Sequence, residues 1–217
     1  MCSMSYHSRN NHSLSAGPVA GFTLIELLVS IAIVSVILTI IVSNQSTYTD
    51  NAALSNLSDQ IGLTLSQAQA YGIGVRELFP GSSDFSASYG LVFSLLDSGS
   101  DSVYLSFADR NGNKLYDGDW SCPTGGISEC IEKTDISRGN RIDSLCVVRA
   151  ADTDICGIGR VDISFIRPNT EAQIIFFDAG GGTLNPPGSI GARVILRSPG
   201  ALTKSVVIYK TGQISVP

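Results

Sequence analysis

The chain has 217 residues, a formal net charge of −5 and a pI of about 4.9, a balance that argues against a general nucleic-acid binder, which needs a basic face, and leaves open only a local basic patch. Both histidines, His7 and His12, precede Phe22, so everything after that point excludes a Ser-His-Asp or Cys-His site and an imidazole zinc site. The roughly 175 residues beyond the first apolar segment suffice for one domain with its own core.

Residues 1–21 are hydrophilic and carry one charge, Arg9. From Phe22 to Val42 the chain is apolar apart from small hydroxyl residues and one charge, Glu26. As a helix this run is roughly 31 Å long, close to the ~30 Å core of a bilayer. Arg9 lies before it and Asp50 and Asp59 after it, so the positive-inside rule puts the N-terminus on the cytoplasmic side. A cleaved secretory signal has a shorter apolar core followed by small residues. Here the small residues, Ser15 to Gly21, come first.

A plain anchor leaves Glu26 unexplained. A charged group at a helix centre costs ~2.5–3.5 kcal/mol on insertion scales, and less near the interface. Cleavage of the Gly21–Phe22 bond would create an α-ammonium with an ordinary pKa of about 8. That ammonium, from the same chain or a neighbour in a helix bundle, is a partner for Glu26, which makes the carboxylate an assembly residue.

The unbroken stretch from Gly21 through Phe22, Thr23, Leu24, Ile25 and Glu26 to Leu28 resembles the class III signal of type IV pilins and of the pseudopilins of type II secretion. The resemblance implies a leader at 1–21, removed after Gly21 by a membrane prepilin peptidase that also methylates the amine of Phe22. It implies a transmembrane half-helix at 22–42 that enters a filament core, with Glu26 registering subunits. The implied partners are other pilin or pseudopilin subunits, the peptidase, the membrane, and a pilus or secretion assembly platform. The implied location is the bacterial inner membrane, single-pass with the N-terminus cytoplasmic, and then a periplasmic or extracellular filament. One departure is that such leaders carry Lys or Arg beside the glycine, whereas Pro18, Val19 and Ala20 stand here.

Over 43–72 the apolar residues Leu54, Leu57, Ile61, Leu65 and Ala68 recur at spacings of three and four, the stripe of an amphipathic helix that continues the apolar one. Gly72 and Gly74 end it. Region 73–217 reads as an extracytoplasmic β-rich domain. Strands are expected at 89–95, 102–109, 142–150, 159–167, 171–178, 192–198, 205–210 and 213–216, with the stretch Asp178–Gly191 a flexible loop. The fold class is α+β: a long N-terminal helix packed on an antiparallel sheet or small sandwich. The strand-rich tail and closing hairpin resemble the H-type pseudopilins and FimT-like minor pilins. The closing turn, Gly212 to Ser215, has no arginine, unlike DNA-uptake members, and no nucleic-acid partner is expected.

The stretch 107–120, FADRNGNKLYDGDW, carries Asp109, Asn111, Asn113 and Asp117 at positions one, three, five and nine of a calcium-type loop, with the carbonyl of Leu115 at seven. Lys114 occupies the usual glycine position and Trp120 the place of the bidentate acid. A polar turn between strands is the preferred reading, with calcium the alternative and no other cofactor expected. Asp178–Thr183 lacks the Lys-Ser/Thr of a phosphate loop. Of the five cysteines, Cys2 belongs to the leader, leaving Cys122, Cys130, Cys146 and Cys156. Four allow three pairings; sequence neighbours, Cys122–Cys130 and Cys146–Cys156, pair most readily. Free thiols are the alternative, and a four-thiolate zinc site is disfavoured because no C-x-x-C pair occurs.

These features together point to a minor pilin or pseudopilin, a structural subunit and not an enzyme. The alternative is a membrane-anchored surface binding protein or adhesin that does not polymerise. An anchored hydrolase lacks a nucleophile motif.

Overall fold

A computed structural model describes residues 21–74, 76–78, 81–96, 99–123, 128–151 and 153–217, with the side chains of 43–47 outside the description. The leader reading therefore lies outside the described residues except at Gly21, as do Cys2, His7 and His12. The chain divides into two compact units at Gln45–Ser46.

One helix, α1, runs over Leu24–Ile73. In the first unit its segment Leu24–Val42 has a mean hydropathy of 2.8 and no buried residue, and is long and apolar enough to cross a bilayer. In the second unit the stripe Leu54, Leu57, Ile61, Leu65 and Ala68 is buried throughout, as the spacing predicts. Each such large side chain contributes roughly 1.5–3 kcal/mol on burial. The helix stops at Ile73, where the Gly74 N–H closes onto the Ala70 carbonyl at 2.9 Å.

Eleven strands follow: β1 Ser88–Ser94, β2 Val103–Asp109, β3 Cys130–Asp135, β4 Arg141–Arg149, β5 Ile155–Ile158, β6 Arg160–Phe165, β7 Ala172–Phe177, β8 Thr183–Leu184, β9 Ser189–Arg197, β10 Thr203–Tyr209 and β11 Ile214–Ser215. They make two antiparallel sheets, ordered β3-β2-β1-β6-β7-β8 and β11-β10-β9-β4-β5. The α+β class holds, and the single-sheet alternative gives way to two sheets.

The helix stripe and both sheets share one core, in which Leu91, Phe93, Ile163 and Phe165 of the first sheet meet Leu145, Val147, Val194 and Ile208 of the second. A second cluster lies on the first sheet: Val92, Val103, Leu105, Phe107 and Tyr116, with Trp120, Cys122 and Cys130 packed against it. Strand β1 is therefore buried on both faces, with Leu91 and Phe93 in the main core and Val92 in the second cluster. This is why it reads as a continuous apolar run.

Three strands were not expected. β3 and β5 are edge strands with largely exposed residues, and β8 is two residues long. The loop reading of Asp178–Gly191 is corrected: it holds β8 and the start of β9, and the Asp178 carboxylate accepts the Gly180 and Gly182 N–H groups at 2.8 and 2.9 Å.

Candidate functional site

Thr23 immediately precedes the first helical residue, and its Oγ1 accepts the Glu26 N–H at 3.3 Å. Thr23 is thus the N-cap, and Glu26 stands at the third helical position of a Thr-x-x-Glu pattern. A carboxylate in a first helical turn also meets the positive end of the helix dipole. Glu26 therefore has a local reason to be where it is, beside any role in assembly. The spacing of Thr23 and Glu26 is the signal in the sequence from which this cap could have been read.

Around the same point the chain is open. Phe22 is 81 % exposed, and a β-carbon placed on Gly21 would meet nothing within 4 Å. The hydroxyls of Ser30 and Thr39 donate to the carbonyls of Glu26 and Ser35, both at 2.8 Å, so these polar side chains satisfy themselves on the helix, as a lipid environment requires. Glu26 is the one charged side chain from Phe22 to Val42.

The second place is the β2–β3 connection. Asp109 is 2 % exposed. Its Oδ1 accepts the Gly112 N–H at 2.8 Å, and its Oδ2 accepts the Lys114 N–H at 2.7 Å and the Ser88 hydroxyl at 2.9 Å. Lys114, at the position where a calcium loop has glycine, takes the left-handed backbone with φ 67°. Asn111 Oδ1 and Asn113 Oδ1 accept the N–H groups of Asn113 and Leu115 at 3.0 and 2.8 Å, and both amide nitrogens donate to Asp117 Oδ2 at 2.8 and 2.5 Å. Asn111, Asn113 and Asp117 are thus brought together, while Asp109 turns inward.

To hold a cation, the residues available are Asp109, Asn111, Asn113, Asp117 and the Leu115 carbonyl. Each side-chain oxygen named above already accepts a protein donor, so the arrangement is that of a self-satisfied polar turn. Among the described residues no group of three or more His, Cys, Asp or Glu is placed to hold a metal.

Two further carboxylates, absent from the sequence reading, hold the connection down. Glu129 accepts the Arg110 and Asp117 N–H groups at 3.1 and 2.8 Å. Asp162, fully buried in β6, accepts the Tyr116 N–H at 2.9 Å and pairs with Arg160, whose Nε lies 2.6 Å from its Oδ1. Burial pushes both carboxyls above the usual range; for Asp162 the Arg160 hydrogen bond opposes this, and for Glu129 the two backbone N–H bonds do. Burial also pushes the Tyr116 hydroxyl up to about 12. Tyr116 packs on Phe107 and, edge to face at 5.9 Å, on Trp120. Trp120 is therefore a packing residue of the second cluster.

The structure joins Cys122 to Cys130 and Cys146 to Cys156. The first ties the middle of this connection to the first residue of β3. The second bridges directly opposed positions of β4 and β5.

A family model described as the prokaryotic N-terminal methylation motif matches residues 18–42. No curated protein and no solved structure matches the chain. The matched residues contain the capped helix start and the apolar segment. The chain therefore carries a type IV pilin-like signal of the kind that a prepilin peptidase processes.

Proposed function

We propose that the chain is a minor pilin or pseudopilin: a structural subunit, not an enzyme, that is cut after Gly21, methylated on Phe22 and drawn through its helix into a type IV pilus or type II secretion pseudopilus. The observation that carries this reading is the coincidence of the methylation motif with an exposed Gly21–Phe22 junction followed at once by a helix whose one membrane-level charge is Glu26. Cleavage at that junction supplies the ammonium that a carboxylate four residues on can meet. The strand-rich domain ending in a short hairpin supports an H-type or FimT-like subunit. The membrane segment supports insertion in the bacterial inner membrane, with the β domain on the extracytoplasmic side.

Intact-mass analysis of the protein from purified membranes tests the reading. The expected product starts at Phe22 and carries one added methyl group. A product starting elsewhere, or an uncut chain, overturns it. Deletion of the gene then separates the two systems, through loss of surface filaments or loss of an exported protein.

A further inference from the structure

Away from the helix start and the acidic loop, a cleft of about 300 Å³ opens between the second half of α1 and the turn joining β3 to β4. Asn56 and Gln60 line it from the helix, Asp135 from the end of β3, and Ser137, Arg138 and Asn140 from the turn; Ala53 and Leu57 supply its apolar lining. The turn is tight: the Asn140 N–H reaches the Ser137 carbonyl at 3.3 Å, and Arg138 and Gly139 between them both have left-handed backbones, with φ 61° and 69°. Arginine is disfavoured in that conformation, so Arg138 is held there by a turn that glycine would make more readily.

Asn140 is 5 % exposed, and its Oδ1 has no hydrogen-bond partner among the described residues. A buried acceptor without a donor is uncommon in a folded protein. Asn140 lines the cleft, but its Oδ1 is closed off beneath the turn and is not a contact for a ligand.

We propose that this cleft binds a neutral polyhydroxylated ligand, a saccharide. Its lining offers donors from the amides of Asn56 and Gln60 and the guanidinium of Arg138, an acceptor in the Asp135 carboxylate, and the Ser137 hydroxyl, which can do either. A hydroxyl group both donates and accepts, so a sugar satisfies both sets at once. An anion would be opposed by Asp135 and a cation by Arg138. The C–H face of a sugar ring matches Leu57 and Ala53. The volume falls at the small end of the range for small-molecule sites. None of this depends on entry into a filament.

The test is saturation-transfer NMR on the processed full-length chain in phosphocholine micelles, which present no sugar, with galactose and N-acetylglucosamine as probes at millimolar concentration. The wild type is expected to transfer saturation to at least one of them. In Arg138→Gly and Gln60→Ala the apparent affinity should fall about tenfold or more, as for loss of a hydrogen bond to a charged or buried group. The melting temperature of Arg138→Gly should stay unchanged or rise, because glycine suits the left-handed position. No transfer to either sugar overturns the proposal, as does transfer that both variants leave intact. Equal transfer to acetate would make this an anion site, and self-association lost in Arg138→Gly without sugar binding would make it an interface; either result also overturns it.

Discussion

Gly72, in the last turn of α1, passes so close to Phe165 of β6 that a β-carbon on it would stand 2.3 Å from the Phe165 carbonyl oxygen and 2.8 Å from the Phe165 β-carbon. Neighbouring rings mark the same contact: Tyr71 meets Tyr89 edge to face at 5.8 Å, and the Arg76 guanidinium lies 3.7 Å from the Tyr71 ring centre. Because the nearest obstacle is backbone, Gly72→Ala must push the helix end off the sheet. It is expected to cost about 1–3 kcal/mol of stability, read as a lower urea midpoint. An unchanged midpoint would mean that the helix end is not seated on β6.

Glu26→Val removes a charge from the apolar segment while leaving the Thr23 cap, which bonds the backbone of residue 26 and not its side chain. Membrane insertion and cleavage after Gly21 should persist. Incorporation into filaments should fall, since the Phe22 ammonium would enter a helix bundle unpaired, at a cost of several kcal/mol. The measurement is the ratio of processed subunit in sheared filaments to that left in the membrane. A normal ratio would leave Glu26 with its helix-end role alone.

The bridge from Cys122 to Cys130 closes a short loop, with a sequence separation of 8, beside the second apolar cluster. Replacing both cysteines with serine should lower stability by about 2–3 kcal/mol. Trp120 is the one tryptophan of the chain and packs on that cluster. Its emission should therefore shift to the red in the variant before the main unfolding transition. A single coincident transition would show that the connection is not loosened by itself.

Glu129 has a pH signature. Burial holds its carboxyl above the ordinary value of 4.5, so the folded chain takes up this proton before the unfolded chain does. Its contribution to stability is complete below the ordinary value and is lost as pH rises through the raised one. The stability difference between wild type and Glu129→Gln should widen in favour of the wild type as pH falls from neutral toward 4.5, in urea titrations at stepped pH. At neutral pH the glutamine should already cost about 1–3 kcal/mol, since it offers one acceptor where two N–H groups need one each. A gap that narrows on acidification would contradict the assignment.

Calcium at millimolar concentration should leave the melting temperature of the full chain unchanged, because the loop from Asp109 to Asp117 is already satisfied by protein donors. A cation held there would instead raise it with concentration as RT ln(1 + [L]/Kd). A rise that Asp117→Asn abolishes would assign the loop to calcium.

The elements that announced themselves in the sequence are those whose side chains alternate or run apolar against a core. The stripe from Leu54 to Ala68 and the eight stronger strands are of this kind. β3 was hidden because Glu132, Lys133 and Asp135 make it read as solvent-exposed chain; it belongs to the sheet through backbone pairing with β2, which leaves no mark on composition. The role of Glu129 and Asp162 was hidden for a related reason. A carboxylate that serves distant backbone N–H groups looks, in sequence, like any surface acid. Tyr116 and Trp120 were the available sign that the polar stretch between β2 and β3 covers a second cluster, since two aromatics in a solvated turn would have nothing to pack on.

The two sheets are filled in instalments. The chain lays down β1 to β3 in one and β4 to β5 in the other, then returns with β6 to β8 and crosses again with β9 to β11. The joins that complete each sheet, β1 with β6 and β4 with β9, unite segments far apart along the chain, a topology that folds slowly. If the β domain is exported behind the N-terminal helix, as proposed above, this sets a timetable. The apolar stripe of α1 emerges first, and its wall from the second sheet exists only after Ile208 has crossed. Throughout that interval the stripe lacks part of its cover, and on the proposed orientation it is then that a holding chaperone on the far side of the membrane would have something to grip and that a stalled export intermediate would be most exposed to proteolysis.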